Sequence, residues 1–239
     1  MRRAVALVLA LAAGPAAAAC DHACTEVTGA AFGAPTGRYP HGVLGDALEW
    51  GSLTIRHRAD GGETRIVLPD ARVFEDVAPR VVDLDLDGRD DAVAVVESHR
   101  DRGARLALYD AAGRVAATPH IGTRFRWLAP AAIADLDGDG AVEIAYVDRP
   151  HLARVLRVWR YAGGRLVEVA AVSGVTNHRI GEPFVSGGLR DCGAGPEIVL
   201  ASADWTRVLA VTFDGAAVAA RDLGPWSAPA AERALRCAR

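Results

Sequence analysis

The 239-residue chain contains no Lys and no Gln, one Asn (Asn177) and one Met, so all 27 of its basic residues are Arg. We read this as the codon bias of a GC-rich genome; a dedicated phosphate-binding set of arginines is the weaker account. Thirty acidic residues outweigh the arginines, for a net charge of −3. A nucleic-acid partner needs a basic excess on one face and is not expected. Beyond the first residues no apolar run approaches the roughly 20 residues that cross a bilayer, so no transmembrane segment is expected. Common catalytic signatures are missing too. The seven histidines form neither H-x-x-x-H nor H-E-x-x-H, no G-x-S-x-G elbow occurs, and the glycines build no P-loop or dinucleotide fingerprint. The histidines read as turn and blade-edge residues. Glu49, Asp46 and Glu182 could supply a carboxylate pair at a common mouth, a feature almost any acidic chain can offer.

What is present begins with an export signal. Residues 1–19 combine Arg2 and Arg3, an apolar run from Ala4 to Ala13 and the small residues Ala17, Ala18 and Ala19, the pattern of a cleavable signal peptide. The expected location is the periplasm or the medium. Cleavage after Ala19 puts Cys20 first, which raises a lipid anchor as an alternative, although Ala17 stands where a lipobox usually has Leu. The other cysteines are Cys24, Cys192 and Cys237. An even count in an oxidising compartment suggests two disulfides. The preferred pairing is Cys20–Cys24 with Cys192–Cys237, the latter stapling the tail to the last repeat; Cys24–Cys237 is the rival.

The mature chain reads as one domain. Residues 20–40 are broken by Gly29, Gly33, Pro35 and Gly37 and are expected to form an irregular leader. From His41 onward, short apolar runs of strand length alternate with Gly and Asp. Val81-Val82-Asp83 matches Ile133-Ala134-Asp135 and Asp91 to Val95 matches Glu143 to Val147, at a constant shift of 52 residues. Two more strand candidates with a Gly turn follow each match. The repeats fall at about 43–79, 80–130, 131–183 and 184–226, with a tail to 239. Four short antiparallel strands per repeat of roughly fifty residues predict an all-β fold, a small β-propeller of four blades. Five blades follow if the leader contributes strands, and a flat or open β-array is the alternative.

Two repeats carry D-x-D-x-D-G-x-x-[DE], at Asp83, Asp85, Asp87 and Asp91 and again at Asp135, Asp137, Asp139 and Glu143. Carboxylates at loop positions 1, 3 and 5 converge when the backbone curls, Gly at 6 permits the turn and position 7 can offer a carbonyl. This is an oxygen cage for a hard cation, best suited to Ca²⁺. An EF-hand would need Glu at position 12 followed by a helix; here Ala94 and Tyr146 stand at that position within β-like runs.

Apolar strand, acidic loop and second apolar strand resemble the FG-GAP or VCBS repeat of integrin α-subunit propellers and many exported bacterial proteins. The resemblance implies two Ca²⁺ sites. Carried over by position, the ligands are Asp83, Asp85, Asp87, the Arg89 carbonyl and Asp91, then Asp135, Asp137, Asp139, the Ala141 carbonyl and Glu143. The copy near Arg190 to Gly193 lacks the acids and is expected to bind nothing. A site that some blades lack is read as structural. The expected function is an interaction module for a protein or glycan ligand, with the cluster Arg124, Arg126 and Trp127 as a candidate binding patch. The alternatives are an extracytoplasmic hydrolase or lyase and a lipid-anchored assembly factor.

Overall fold

The computed structural model describes residues 26–58 and 61–238. The expected signal peptide, Cys20 and Cys24, with their bridge or acylation, lie outside the described residues. The described chain is all-β apart from one short helix. Its first unit is an antiparallel meander of β1 (Val27–Thr36), β2 (Glu49–His57) and β3 (Glu63–Val67). The irregular leader expected over residues 20–40 is therefore corrected at Val27–Thr36. The breakers misled because β1 is an edge strand, where Gly and Pro are tolerated.

In the second unit β4 (Arg72–Phe74) and β5 (Arg80–Val82) both pair with β6 (Ala92–His99), followed by β7 (Gly103–Asp110) and β8 (Gly113–Ala117). Trp50 of β2 pairs with Phe74 of β4, which joins the first two units into one sheet. The third unit is β9 (Leu128–Ala134), β10 (Glu143–Asp148), β11 (Val155–Ala162) and β12 (Arg165–Ser173). The fourth comprises β13 (Val175–Thr176), β14 (Gly188–Asp191), β15 (Pro196–Ser202), β16 (Arg207–Phe213) and β17 (Val218–Pro225). The helix α1 (Ala228–Leu235) follows, capped by Ser227, whose hydroxyl accepts from Ala230 N.

Units two to four share one plan. An inner strand pairs with a second strand buried on both faces, and two outer strands follow. The second strands β6, β10 and β15 are almost wholly buried, which is why their sequences are continuous apolar runs rather than alternating ones. Burial comes from face-to-face stacking. Leu53, Ile55 and Phe74 pack on Val93, Val95 and Tyr109 between units one and two. Leu106 and Leu108 meet Ile144, Tyr146 and Trp159 between two and three, and Val147, Leu156 and Val158 meet Ile198, Leu200 and Phe213 between three and four. The arrangement is propeller-like.

The free face of unit four is covered by α1, whose Ala234 packs on Val199 and Val208. Cys192, in the β14–β15 turn, is bridged to Cys237 just beyond the helix, the preferred pairing of the sequence analysis. The bridge closes a loop with a sequence separation of 45, for which chain entropy gives about 4 kcal/mol. A Cys192→Ser/Cys237→Ser variant should lose about 2–4 kcal/mol by that reasoning, read from urea midpoints. An unchanged midpoint would show that α1 docks without its staple.

Candidate functional site

The antiparallel plan puts the loops of units two to four at two opposite ends. The acidic loops and the β7–β8, β11–β12 and β16–β17 turns share one end. The β6–β7 and β10–β11 turns and the connections between units share the other.

At the acidic end the two D-x-D-x-D-G loops have the same internal wiring. Asp83 accepts from the backbone of Asp87 (3.2 Å) and Gly88 (2.8 Å), as Asp135 accepts from Asp139 (3.1 Å) and Gly140 (3.0 Å). The last acid closes each loop: Asp91 accepts from Leu84 N (3.2 Å) and Glu143 from Leu136 N (2.9 Å). Leu84 and Leu136 are buried and pin the loops into the inter-unit cores. The fold thus preforms the carboxylate cluster before any ligand enters. Asp83, Asp85 and Asp91 each bring one oxygen within 4.8 Å of the others, and so do Asp135, Asp137 and Glu143. Oxygens bound to one ion at about 2.3–2.6 Å can span that distance, so both sets fit a hard cation. Asp87 and Asp139 stand outside these clusters, Asp87 bonded to Arg89 (2.5 Å) and Asp139 to Arg160 (2.8 Å).

The loops differ in one respect that the repeat pattern hid. Arg160, which pairs with Glu143 across β10 and β11, lays its guanidinium on Asp137 (2.5 Å), Asp139 (2.8 Å) and Glu143 (2.5 Å). Among the described residues no arginine spans the first loop's acids in this way; Arg89 holds Asp87. In unit four two acids remain: Asp191 accepts from Gly193 N and Gly195 N, and Arg190 and Arg221 hold Glu197 at 2.5 and 2.6 Å.

The other end holds a cluster that the sequence left scattered. The inner strands of units two and four break between β4 and β5 and between β13 and β14, and the freed segments carry buried polar residues. Glu75 is fully buried. Its carboxylate takes the Nδ1 proton of His41 at 2.5 Å and the hydroxyl of Ser98, and its carbonyl accepts from Trp127 Nε1 at 2.8 Å. His178, also fully buried, donates from Nε2 to the Glu182 carbonyl (2.9 Å) and receives His151 Nε2 on Nδ1 (3.1 Å). Burial holds both of these rings neutral, His151 down to about 4. Around them His41, Val43, Phe125, Arg126, Trp127, Arg149, His151 and Leu152 line a cavity of about 40 Å³.

Of the expected binding patch, Trp127 is buried and anchors Glu75, Arg126 lines the cavity and Arg124 stacks on Phe125 at 4.5 Å. Of the carboxylate candidates, Asp46 caps a turn by accepting from Leu48 N, while Glu49 is buried among acids. Three imidazoles converge here although their chain positions lie far apart; only the polar run Asn177-His178 between apolar strands hinted at it.

Stacked antiparallel units that turn through an acidic D-x-D-x-D-G loop define a propeller-like repeat protein. The family model described as an FG-GAP-like repeat matches residues 83–146, from the first acidic loop into β10. The chain carries an FG-GAP-like repeat over these residues. No curated protein matches the chain.

The buried acids give a pH prediction. Burial, then Glu75, Asp46 and Asp76, push Glu49 up to about 9 from 4.5. A carboxyl raised on folding stabilises the fold fully below its unfolded pKa and loses that contribution as pH climbs towards the folded value. Glu49→Gln should therefore gain on the order of 1–3 kcal/mol at pH 8 and little at pH 4.5, measured by denaturant melts at both. Equal effects at the two pH values would show that Glu49 is ionised in the folded protein.

Proposed function

We propose that the chain is an exported, calcium-braced interaction module of four propeller-like units. The acidic end holds Ca²⁺ and the opposite end presents the docking face. The observation that carries this reading is the preformed oxygen cluster, built twice with the same wiring and far from the cavity. Asp83, Asp85 and Asp91 hold the ion in the first loop, with Asp87 and the Arg89 carbonyl completing the shell. Asp135, Asp137, Glu143, Asp139 and the Ala141 carbonyl do so in the second. A cation there relieves the repulsion that otherwise strains each loop, and it stabilises the fold by mass action. Export is supported by the Cys192–Cys237 bridge, since such bonds persist in oxidising compartments.

Two metal sites of this kind should not be equal. An ion entering the second must displace Arg160 from three carboxylates, whereas the arginine of the first loop, Arg89, pairs with Asp87 alone. Calorimetric titration of the metal-free protein with Ca²⁺ should give one tight and one weak site. Asp85→Ala should abolish the tight one and Arg160→Met should tighten the weak one by about tenfold or more, the scale of a lost charge-pair competitor. EGTA should lower the melting temperature and added Ca²⁺ restore it. Absence of heat and of any thermal shift would leave both loops as plain turns.

A further inference from the structure

The cavity between the unit connections has a lining that is unusual for a chain of net charge −3. Its polar residues are two arginines and two histidines, and none of its lining residues is acidic. Two of the nearby carboxylates are already engaged, and burial with its acidic neighbours pushes a third, Glu49, up to about 9. Glu75 lies behind His41 and Ser98, and Asp148 is shared by Arg149 and Arg157 at 2.7 and 2.9 Å. Arg126 is different: its side chain bonds only the Phe125 carbonyl and forms no ion pair among the described residues. Nor does Arg124, which lies over the neighbouring Phe125 ring.

Size and surroundings narrow the occupant. A cavity of about 40 Å³ admits a group of a few heavy atoms rather than a sugar ring. Around it the surface is apolar. Leu152 on its wall is 63 % exposed, and Leu48, Ile180 and Phe184 on the neighbouring loops are half or more exposed. The loops meet here, with Gly181 N donating to the Val43 carbonyl. The bond from His151 Nε2 to His178 leaves His151 Nδ1 as an acceptor for an N–H or O–H beside the anion. Inorganic phosphate and sulfate offer nothing, and a glycan chain little, for the leucine, isoleucine and phenylalanine rim.

We propose that this cavity receives the carboxylate of an acidic, partly apolar peptide segment, gripped by Arg126, while flanking apolar side chains lie on Leu152, Ile180 and Phe184. This rests on the interaction-module reading and names the chemistry of the partner. The Asp loops at the opposite end make such docking directional, because a peptide of negative charge is repelled there, whereas Glu75 and Asp148 beside the cavity are covered by their own partners.

The test uses the calcium-loaded full chain and a fluorescein-labelled peptide of alternating Glu and Leu, followed by anisotropy at low salt. Trp127 emission serves as a reporter within the cavity. Saturable one-to-one binding is expected, with a change in Trp127 emission, and affinity reduced tenfold or more by Arg126→Glu and by Leu152→Glu. Leu152→Glu sits on an exposed rim position and cannot act through the core, and unchanged melting temperatures show that both variants are folded. Equal binding by the variants, or by a Lys–Leu peptide, overturns the proposal. So does tight binding of polygalacturonate in place of the peptide, which would make the occupant a glycan. Failure of the peptide with calcium-dependent melting intact removes only the partner; loss of calcium dependence removes the brace.

Discussion

Placing Glu75 in the interior without access to water is the constraint around which this molecule is assembled. A buried carboxylate must be matched on every lone pair, and breaking one such match costs about 3–5 kcal/mol. Its partners come from three units: His41 from the β1–β2 connection, Ser98 from β6, and Trp127 from the start of unit three, which donates to the same residue's carbonyl. Asp76 beside it accepts from Val96 N at 2.8 Å and pairs with Arg80. The inner strand of unit two breaks just past Glu75, whose N–H still donates to the Val96 carbonyl, where the Asp76 carboxylate takes Val96 N in place of a backbone carbonyl. Unit four does the same with Asn177, whose amide reaches the Ala129 and Pro130 carbonyls at the irregularity in β9. The axis of the stack is thus a polar knot within an apolar fold, and its geometry sets the shape of the loop end.

The acidic loops obey a different logic. Each is a turn wired by its own carboxylates, and the accumulated charge must be offset by something. In the first loop Arg89 holds Asp87, in the second Arg160 lies across three acids, and in unit four Arg190 and Arg221 hold Glu197. The series shows a tethered guanidinium offsetting the charge of the turn to different extents. Unit four, with Asp191 and Glu197 as its acids, keeps the turn with two arginines from its own sheet.

Much of this could be read before the structure. The all-β class and the acidic loops follow from local patterns, since period, Gly placement and Asp spacing each act within a few residues, whereas Cys192–Cys237 was one of two pairings the sequence left open. Three features were hidden because they act across units. β1 was taken for a leader because Gly29, Gly33 and Pro35 look like breakers, and only its place at a sheet edge makes them acceptable. Arg160 was invisible because its partners lie across a strand pair and not along the chain. The imidazoles of His41, His151 and His178 carry no spacing signal, for they are assembled by breaks in two inner strands and a connection from the first unit.

These two ends bear on each other through charge. A chain with more acids than arginines presents an arginine-lined cavity here because Glu75 and Asp148 beside it are covered by partners and the acidic loops lie at the other end. Each Asp loop lies at the turn between an inner strand and the second strand, and antiparallel pairing forces the connections that carry Arg124, Arg126, Arg149 and Arg179 to the far end. Stacking the units in register then adds like charge to like at both ends. Neutralising the acidic end with cations lowers the repulsion within it and leaves the arginine end untouched, so the net field seen by an approaching anion becomes more attractive as the brace fills. Affinity at the cavity should therefore rise modestly with calcium even though no contact links the two, and salt should erase that coupling first, since its range is set by the Debye length of about 10 Å at 0.1 M.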